Sequence, residues 1–242
     1  MARDLDDIAA KLRPVLLAYL CRLVVRPAVA EELTQTAFLR LVEHADTLPD
    51  RAESLRAWLF RVATHLAIDA NRRHATWRET TMDDLRAAAE GDAAFMRWSG
   101  SLAATAETRM VVREHLVTCL ACTMRNLPQH KAAAFWLREV YDFTLAETAG
   151  ILSATETQVK NWMQDARASL RMKYESSCAL VTQLGACHQC AELADHFRAE
   201  GVDTLTAAAD HIDARLAVAR ENRFRPTGAW HARLLRLLDD LI

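Results

Sequence analysis

Two pairs of cysteines, Cys119-Leu-Ala-Cys122 and Cys187-His-Gln-Cys190, have the spacing from which a metal ion is chelated. One Cys-x-x-Cys knuckle brings two soft thiolates to one ion, and two knuckles complete the tetrahedral shell of a structural zinc. If Cys119 and Cys122 lie on a helix they share a face, because residues three apart are neighbours there. Cys187 and Cys190 supply the other half, with Cys178 and His188 as alternates. The separation between the pairs is far longer than in a compact finger, so such a site would staple the C-terminal part of the chain to the helix bearing Cys119. The same thiols suit a thiol–disulfide switch or an iron–sulfur cluster. A further reading makes Cys119 and Cys122 small buried hydrophobes and the second pair incidental, and Cys21, on an apolar helix face, is read as core. No nucleophile with its base, phosphate loop or acid/base pair stands out, so no enzymatic activity is expected.

A second constellation is aromatic and cationic. Trp58, Phe60, Arg61, His65, Asn71, Arg72 and Arg73 follow one another along a single helical stretch. Aromatic rings can hold an unstacked base while arginines hold phosphate, which is the chemistry of opening a duplex. Trp58 is expected to be mainly core. A third feature, Thr144–Met163, reads as a short helix, a tight break and a second helix. Leu145, Ala149, Leu152, Val159 and Met163 fall where two crossed helices pack, and Ser153 to Thr157 offer the polar residues that start the second helix. A helix-turn-helix presents its second helix to the major groove of DNA.

The elements that must position these groups are helical. Gly and Pro number six and five in 242 residues, and alternating apolar strands are hard to find. The expected class is all-α: residues 1–78 as one small helical domain, 79–106 as a linker, 107–175 as a second domain holding the helix-turn-helix, and 176–242 as a cysteine-bearing helical extension. Helices are expected over about 5–24, 29–44 and 54–73, four more from about 107, and two in the tail near 204–221 and 229–241. The stretch 80–106 shows little apolar order and reads as a linker with about one helical turn. No leader and no apolar run of membrane-spanning length is seen, so the expected location is cytoplasmic, with reduced or metal-bound thiols.

Net charge is −2. Residues 1–78 carry 12 Lys/Arg and 10 Asp/Glu, 79–108 carry 2 and 6, 109–175 carry 9 and 7, and 176–242 carry 7 and 9. Two mildly basic blocks therefore flank an acidic connector. Phosphate neutralisation normally supplies much of the affinity of a DNA binder, so this chain should grip DNA weakly alone and rely on a larger partner.

Two segments decide between these readings. The first holds Ala30-Glu-Glu-Leu-Thr-Gln-Thr-Ala-Phe-Leu-Arg-Leu41 and then Leu55-Arg-Ala-Trp-Leu-Phe-Arg-Val-Ala-Thr-His-Leu-Ala-Ile-Asp-Ala-Asn-Arg-Arg73. The second runs Leu127-Pro-Gln-His-Lys-Ala-Ala-Ala-Phe-Trp-Leu-Arg-Glu-Val-Tyr-Asp-Phe-Thr-Leu-Ala-Glu147 and on through Val159-Lys160 to Ala166-Arg167. Together, in this order, they resemble a bacterial ECF (extracytoplasmic-function) RNA polymerase sigma factor over roughly residues 5–175. The cysteine-bearing tail is similar to that of an ECF subgroup with such an extension.

The resemblance implies a transcription initiation factor whose region two binds core RNA polymerase and melts the promoter, and whose region four reads the upstream promoter element. It implies polymerase contacts at Glu31, Glu32, Gln35 and Phe38. It implies DNA contacts at Arg61, His65, Asn71, Arg72 and Arg73, and at Thr157, Lys160, Asn161, Gln164 and Arg167. Core RNA polymerase and promoter DNA are the implied partners, an anti-sigma factor is a further one, and no membrane is involved. His65 stands where the family usually has Asn, and Trp162 and Asp165 stand where it commonly has Arg. These departures keep a second expectation open, a sigma-derived metal- or redox-sensing interaction protein that sequesters a partner without initiating transcription.

Overall fold

The computed structural model describes residues 5–48, 51–73, 80–100, 106–178, 208–225 and 236–237. Among these every regular element is helical: α1 (Leu5–Val24), α2 (Pro27–Glu43), α3 (Ala52–Arg73), α4 (Thr81–Gly91), α5 (Ala93–Gly100), α6 (Ala106–Met124), α7 (Gln129–Glu139), α8 (Leu145–Leu152), α9 (Glu156–Ser177) and α10 (Ala208–Glu221), with a 3₁₀ turn at Ala45–Thr47. The all-α class is thereby established. The chain divides into two units that are discontinuous in sequence. One comprises Met1–Ala75, Leu127–Asp165 and Arg220–Pro226; the other comprises Thr76–Asn126, Ala166–Ala219 and Thr227–Ile242.

In the first unit α1, α2 and α3 pack on one another, and α7 and α8 pack on α1 and α3. Pro27 opens α2, where its missing N–H costs nothing. Val25 before it takes a left-handed φ of 62° and sends its N–H to the Cys21 carbonyl, ending α1. The core is aromatic. Phe60 of α3 lies 5.0 Å from Tyr19, 5.7 Å from Tyr141 and 4.9 Å from Phe143, centroid to centroid, and Tyr19 meets Tyr141 edge-on at 5.2 Å. The Tyr19 hydroxyl is satisfied by Thr64 Oγ1 at 2.7 Å. The guanidinium of Arg22, itself buried, sits 5.7 Å from the Trp136 ring and 5.5 Å from the Tyr141 ring and donates to the Tyr141 hydroxyl. Burial pushes the Tyr141 phenol up to about 12 despite that cation. Arg56 lies 3.9 Å above the Phe143 ring and donates to the Tyr141 carbonyl.

The second unit has its own buried set, including Leu85, Ala89, Phe95, Leu116, Leu120, Leu170, Ile212 and Leu216. The stretch 80–106, expected to be linker with about one turn, forms α4 and α5 instead. Asp92 starts α5 by accepting from the amides of Ala94 (2.7 Å) and Phe95 (3.0 Å), and those bonds hold its carboxyl below the usual range. Alanine-rich sequence has high helix propensity, and three apolar side chains at Leu85, Ala89 and Phe95 suffice to bury one face. Of the tail, α10 is present at Ala208–Glu221. The helix expected near 229–241 falls almost wholly outside the described residues.

Within that unit His115 is buried and its imidazole is held at about 3, well below its ordinary 6.5, by burial first and by the Arg215 charge second. The folded state therefore keeps His115 neutral, while the unfolded chain takes up a proton below about pH 6.5. Stability is fully present above 6.5 and falls as pH drops through that value toward 3, with a slope of up to about 1.4 kcal/mol per pH unit from this group. His115→Gln is expected to flatten the loss between about pH 6.5 and 5 in denaturant titrations. An unchanged slope would place the acid sensitivity elsewhere.

Candidate polymerase and promoter interface

The helix-turn-helix is built by two capping boxes in succession. Thr144 Oγ1 accepts from the Glu147 amide (3.2 Å) while Glu147 accepts from the Thr144 amide (2.7 Å), starting α8. Thr155 and Gln158 repeat the exchange at the start of α9, at 3.2 and 2.8 Å. Each box contributes about 1 kcal/mol by satisfying orphan amides. The backbone bonds of Thr144 draw the Glu147 carboxyl below its usual range. Between the helices the left-handed residue is Ser153 (φ 52°), which follows the last turn of α8. The apolar set expected between the helices is present: Ala149 and Val159 are buried together with Ala134, and Leu145, Leu152 and Met163 pack on them.

This packing turns one face of α9 outward. Thr157, Lys160, Asn161 and Gln164 are all exposed and lie at i, i+3, i+4 and i+7. Trp162 belongs to the opposite face. It packs on the Ala149–Val159 cluster, with its ring 4.5 Å from that of His130. Asp165 is ion-paired with Lys131 at 2.7 Å, which tempers its repulsion for phosphate. Arg167, on the part of α9 in the second unit, is half-buried and pairs with Asp213 at 3.1 Å.

On α3, Arg61, His65, Arg72 and Arg73 are exposed and Asn71 is half-buried. His65 Nδ1 lies 2.8 Å from the Arg61 carbonyl, and Arg72 lies 3.6 Å from Asp69. Two of these side chains are engaged inside the first unit. Arg61 donates to Ser153 Oγ at 3.2 Å, and Asn71 donates to Gln129 Oε1 at 2.5 Å and to the Leu23 carbonyl at 3.2 Å. Trp58, expected to be mainly core, is half-buried, with its ring 5.9 Å from His44.

On α2, Glu32 and Gln35 are exposed, Glu31 and Phe38 are half-buried, and Glu31 is paired with Arg13. Sequence reasoning passed over Leu39 and Val42, which are 64% and 62% exposed. With Glu32 and Gln35 they form an i, i+3, i+7, i+10 row, a stripe of one acid, one amide and two large aliphatics facing solvent. The spacing was the available signal, hidden because the same helix also buries Leu33, Ala37 and Leu41.

The cysteines separate by environment. On α6 Cys119 is half-buried and Cys122 is buried, its thiol pushed up to about 12 by burial and by Cys119. Cys178 is buried, 3.5 Å from an Arg215 guanidinium nitrogen. Arg215 is 0% exposed, stacks 4.4 Å from the Tyr174 ring and donates to the His211 carbonyl at 3.1 Å. A cation so placed competes with a metal ion for Cys178. Cys187, His188 and Cys190 lie outside the described residues. Among the described ones no three His, Cys, Asp or Glu side chains converge on a point that could hold a metal. Cys119 and Cys122 stand three residues apart on α6, so their positions share one face of that helix.

No described helix is long and apolar enough to cross a membrane. Comparison with known families finds Sigma-70 region 2 over residues 8–77 and Sigma-70, region 4 over residues 118–170, just over half of the chain together. The ECF RNA polymerase sigma factor SigL of Mycobacterium tuberculosis, in three strains, is 42% identical over 64 residues, which is 26% of this chain and 36% of SigL. The chain thus matches about a third of the length of these curated relatives. Region 2 takes in α1, α2 and α3 with the exposed stripe and the cationic face, and region 4 takes in α7, α8 and the outward face of α9. The chain belongs to the sigma-70 family, and its likeness to SigL supports the ECF type within it.

Proposed function

We propose that the protein is a transcription initiation factor that binds core RNA polymerase through α2 and directs it to specific promoters through α3 and α9. The observation that carries this reading is the co-occurrence, in one chain and in order, of both sigma-70 regions with the solvent-facing row Glu32, Gln35, Leu39, Val42 and the outward row Thr157, Lys160, Asn161, Gln164. Lys160 supplies charge for phosphate, and Asn161 and Gln164 have the amide geometry that reads adenine edges. Weak intrinsic DNA affinity is consistent with a net charge of −2. Run-off transcription with reconstituted holoenzyme, followed by mapping of the start sites, tests it. A promoter-dependent transcript that Leu39→Asp reduces at least about tenfold is expected, since a buried unpaired carboxylate at an interface costs more than the 1.4 kcal/mol that tenfold represents. No transcript under any metal or redox condition would leave the second reading, sequestration of a partner without initiation.

The tail is assigned to regulation through its thiols. Cys119 and Cys122 would hold a zinc ion together with Cys187 and Cys190, and the ion would supply a cross-link between α6 and the tail. Elemental analysis of protein purified without added metal is expected to give about one equivalent of zinc, lost in Cys119→Ser. A stoichiometry near zero, unchanged by Cys119→Ser and Cys190→Ser, rejects the metal. Disulfide formation on oxidation would then point to a thiol switch.

A further inference from the structure

In the first unit, the last turn of α10 and the residues just after it touch both sigma regions at once. Arg220 donates through Nε to the Glu139 carbonyl (2.5 Å) and pairs through Nη2 with the Glu139 carboxylate (3.0 Å), at the C-terminal end of α7. Arg223 pairs with Asp142 (2.8 Å) in the turn before α8. The carbonyl of Asn222, between the two arginines, accepts from Arg22 Nη2 of α1 (2.9 Å). Glu139 is 15% exposed in its side chain and Arg220 44%, so one end of this ion pair is covered and the other faces water.

We propose that Arg220–Arg225 is an intramolecular clasp that holds region 2 and region 4 against each other and keeps the factor from engaging a promoter. The inference rests on the initiation role proposed above. The clasp joins the same two regions that α3 links where it packs on α7 and α8, with Arg61 bonded to Ser153 and Asn71 to Gln129. Both side chains are among those expected to contact DNA, and in this packing they are bonded to region 4 instead. Melting a promoter with α3 while reading an upstream element with α9 requires the two regions on separate stretches of duplex. The closed packing does not allow that. The arginines also suit the site electrostatically: Arg220 caps the last carbonyls of α7, at the negative end of its dipole. Individual ion pairs of this exposure are weak, so the clasp biases the equilibrium without locking it, and a partner as large as polymerase can overcome it.

The test uses the full-length chain with Arg220→Glu and Arg223→Glu combined. At limiting core polymerase the double variant is expected to raise run-off transcript about three- to thirtyfold, the range given by two such pairs and their reversal. Adding Glu139→Arg and Asp142→Arg to the double variant restores opposite charges and is expected to return transcription toward the wild-type level. Amide hydrogen exchange in α3 and α8 of the free protein should quicken in the double variant and slow again in the quadruple one. Unchanged exchange in the folded double variant overturns the clasp, whatever the transcription assay shows. Altered exchange with no transcript from any variant keeps the clasp and overturns the initiation role instead. A double variant that fails to fold is judged by the quadruple one, whose failure to recover protection also overturns the proposal.

Discussion

Phe60→Ala is expected to destabilise the first unit by about 3–5 kcal/mol, the range for deleting a fully buried phenylalanine and leaving a cavity. Its ring contacts Tyr19 from α1 and Tyr141 and Phe143 from the segment joining α7 to α8, so one deletion removes three aromatic contacts at once. The loss should register as a lowered midpoint in urea with little change in slope if cooperativity survives. Phe60→Leu, which keeps most of the volume, is expected to cost less than half as much. A loss below about 1 kcal/mol for the alanine variant would mean that the contact between α3 and the α7–α8 junction carries little energy.

Arg22→Ala is expected to cost about 2–4 kcal/mol through a different mechanism. The guanidinium is buried, is flanked by the Trp136 and Tyr141 rings, and donates both to the Tyr141 hydroxyl and to the Asn222 carbonyl. Removing it strips two acceptors of a charged donor and leaves space that water cannot fill without partners. Arg22→Lys keeps the charge but loses the planar fork and the stacking, so at least about 1 kcal/mol of the cost should remain. Chemical denaturation of the three proteins side by side checks the order wild type, lysine, alanine. Equal stability of lysine and arginine forms would show that charge alone matters there.

The helical class and the apolar seam of the helix-turn-helix were legible because period and caps are local properties. Thr144 and Glu147 stand at capping spacing, and Leu145, Ala149, Leu152, Val159 and Met163 sit at seam positions. What escaped was decided by packing between distant segments. α4 and α5 were read as linker because two or three apolar residues look too few until their partners are known. Trp162 reads as a departure from the family's Arg because the sequence does not reveal that it packs against His130 and the α8–α9 seam. Asp165 looked repulsive because Lys131, 34 residues earlier, is invisible as its partner. Leu39 and Val42 were overlooked because an apolar residue on an amphipathic helix is assumed to face inward. The engagement of Arg61 and Asn71 by region 4 has no local signal at all.

The paired capping boxes have a consequence for how binding preference can diverge. Two hydroxyls, Thr144 and Thr155, set where α8 and α9 begin. The cap fixes where α9 starts, and the seam with α7 and α8 fixes which of its side chains face outward. Exchanging Thr157, Lys160, Asn161 or Gln164 changes the outward face while touching neither the cap nor the seam, so under the promoter-reading role proposed above preference can change one position at a time.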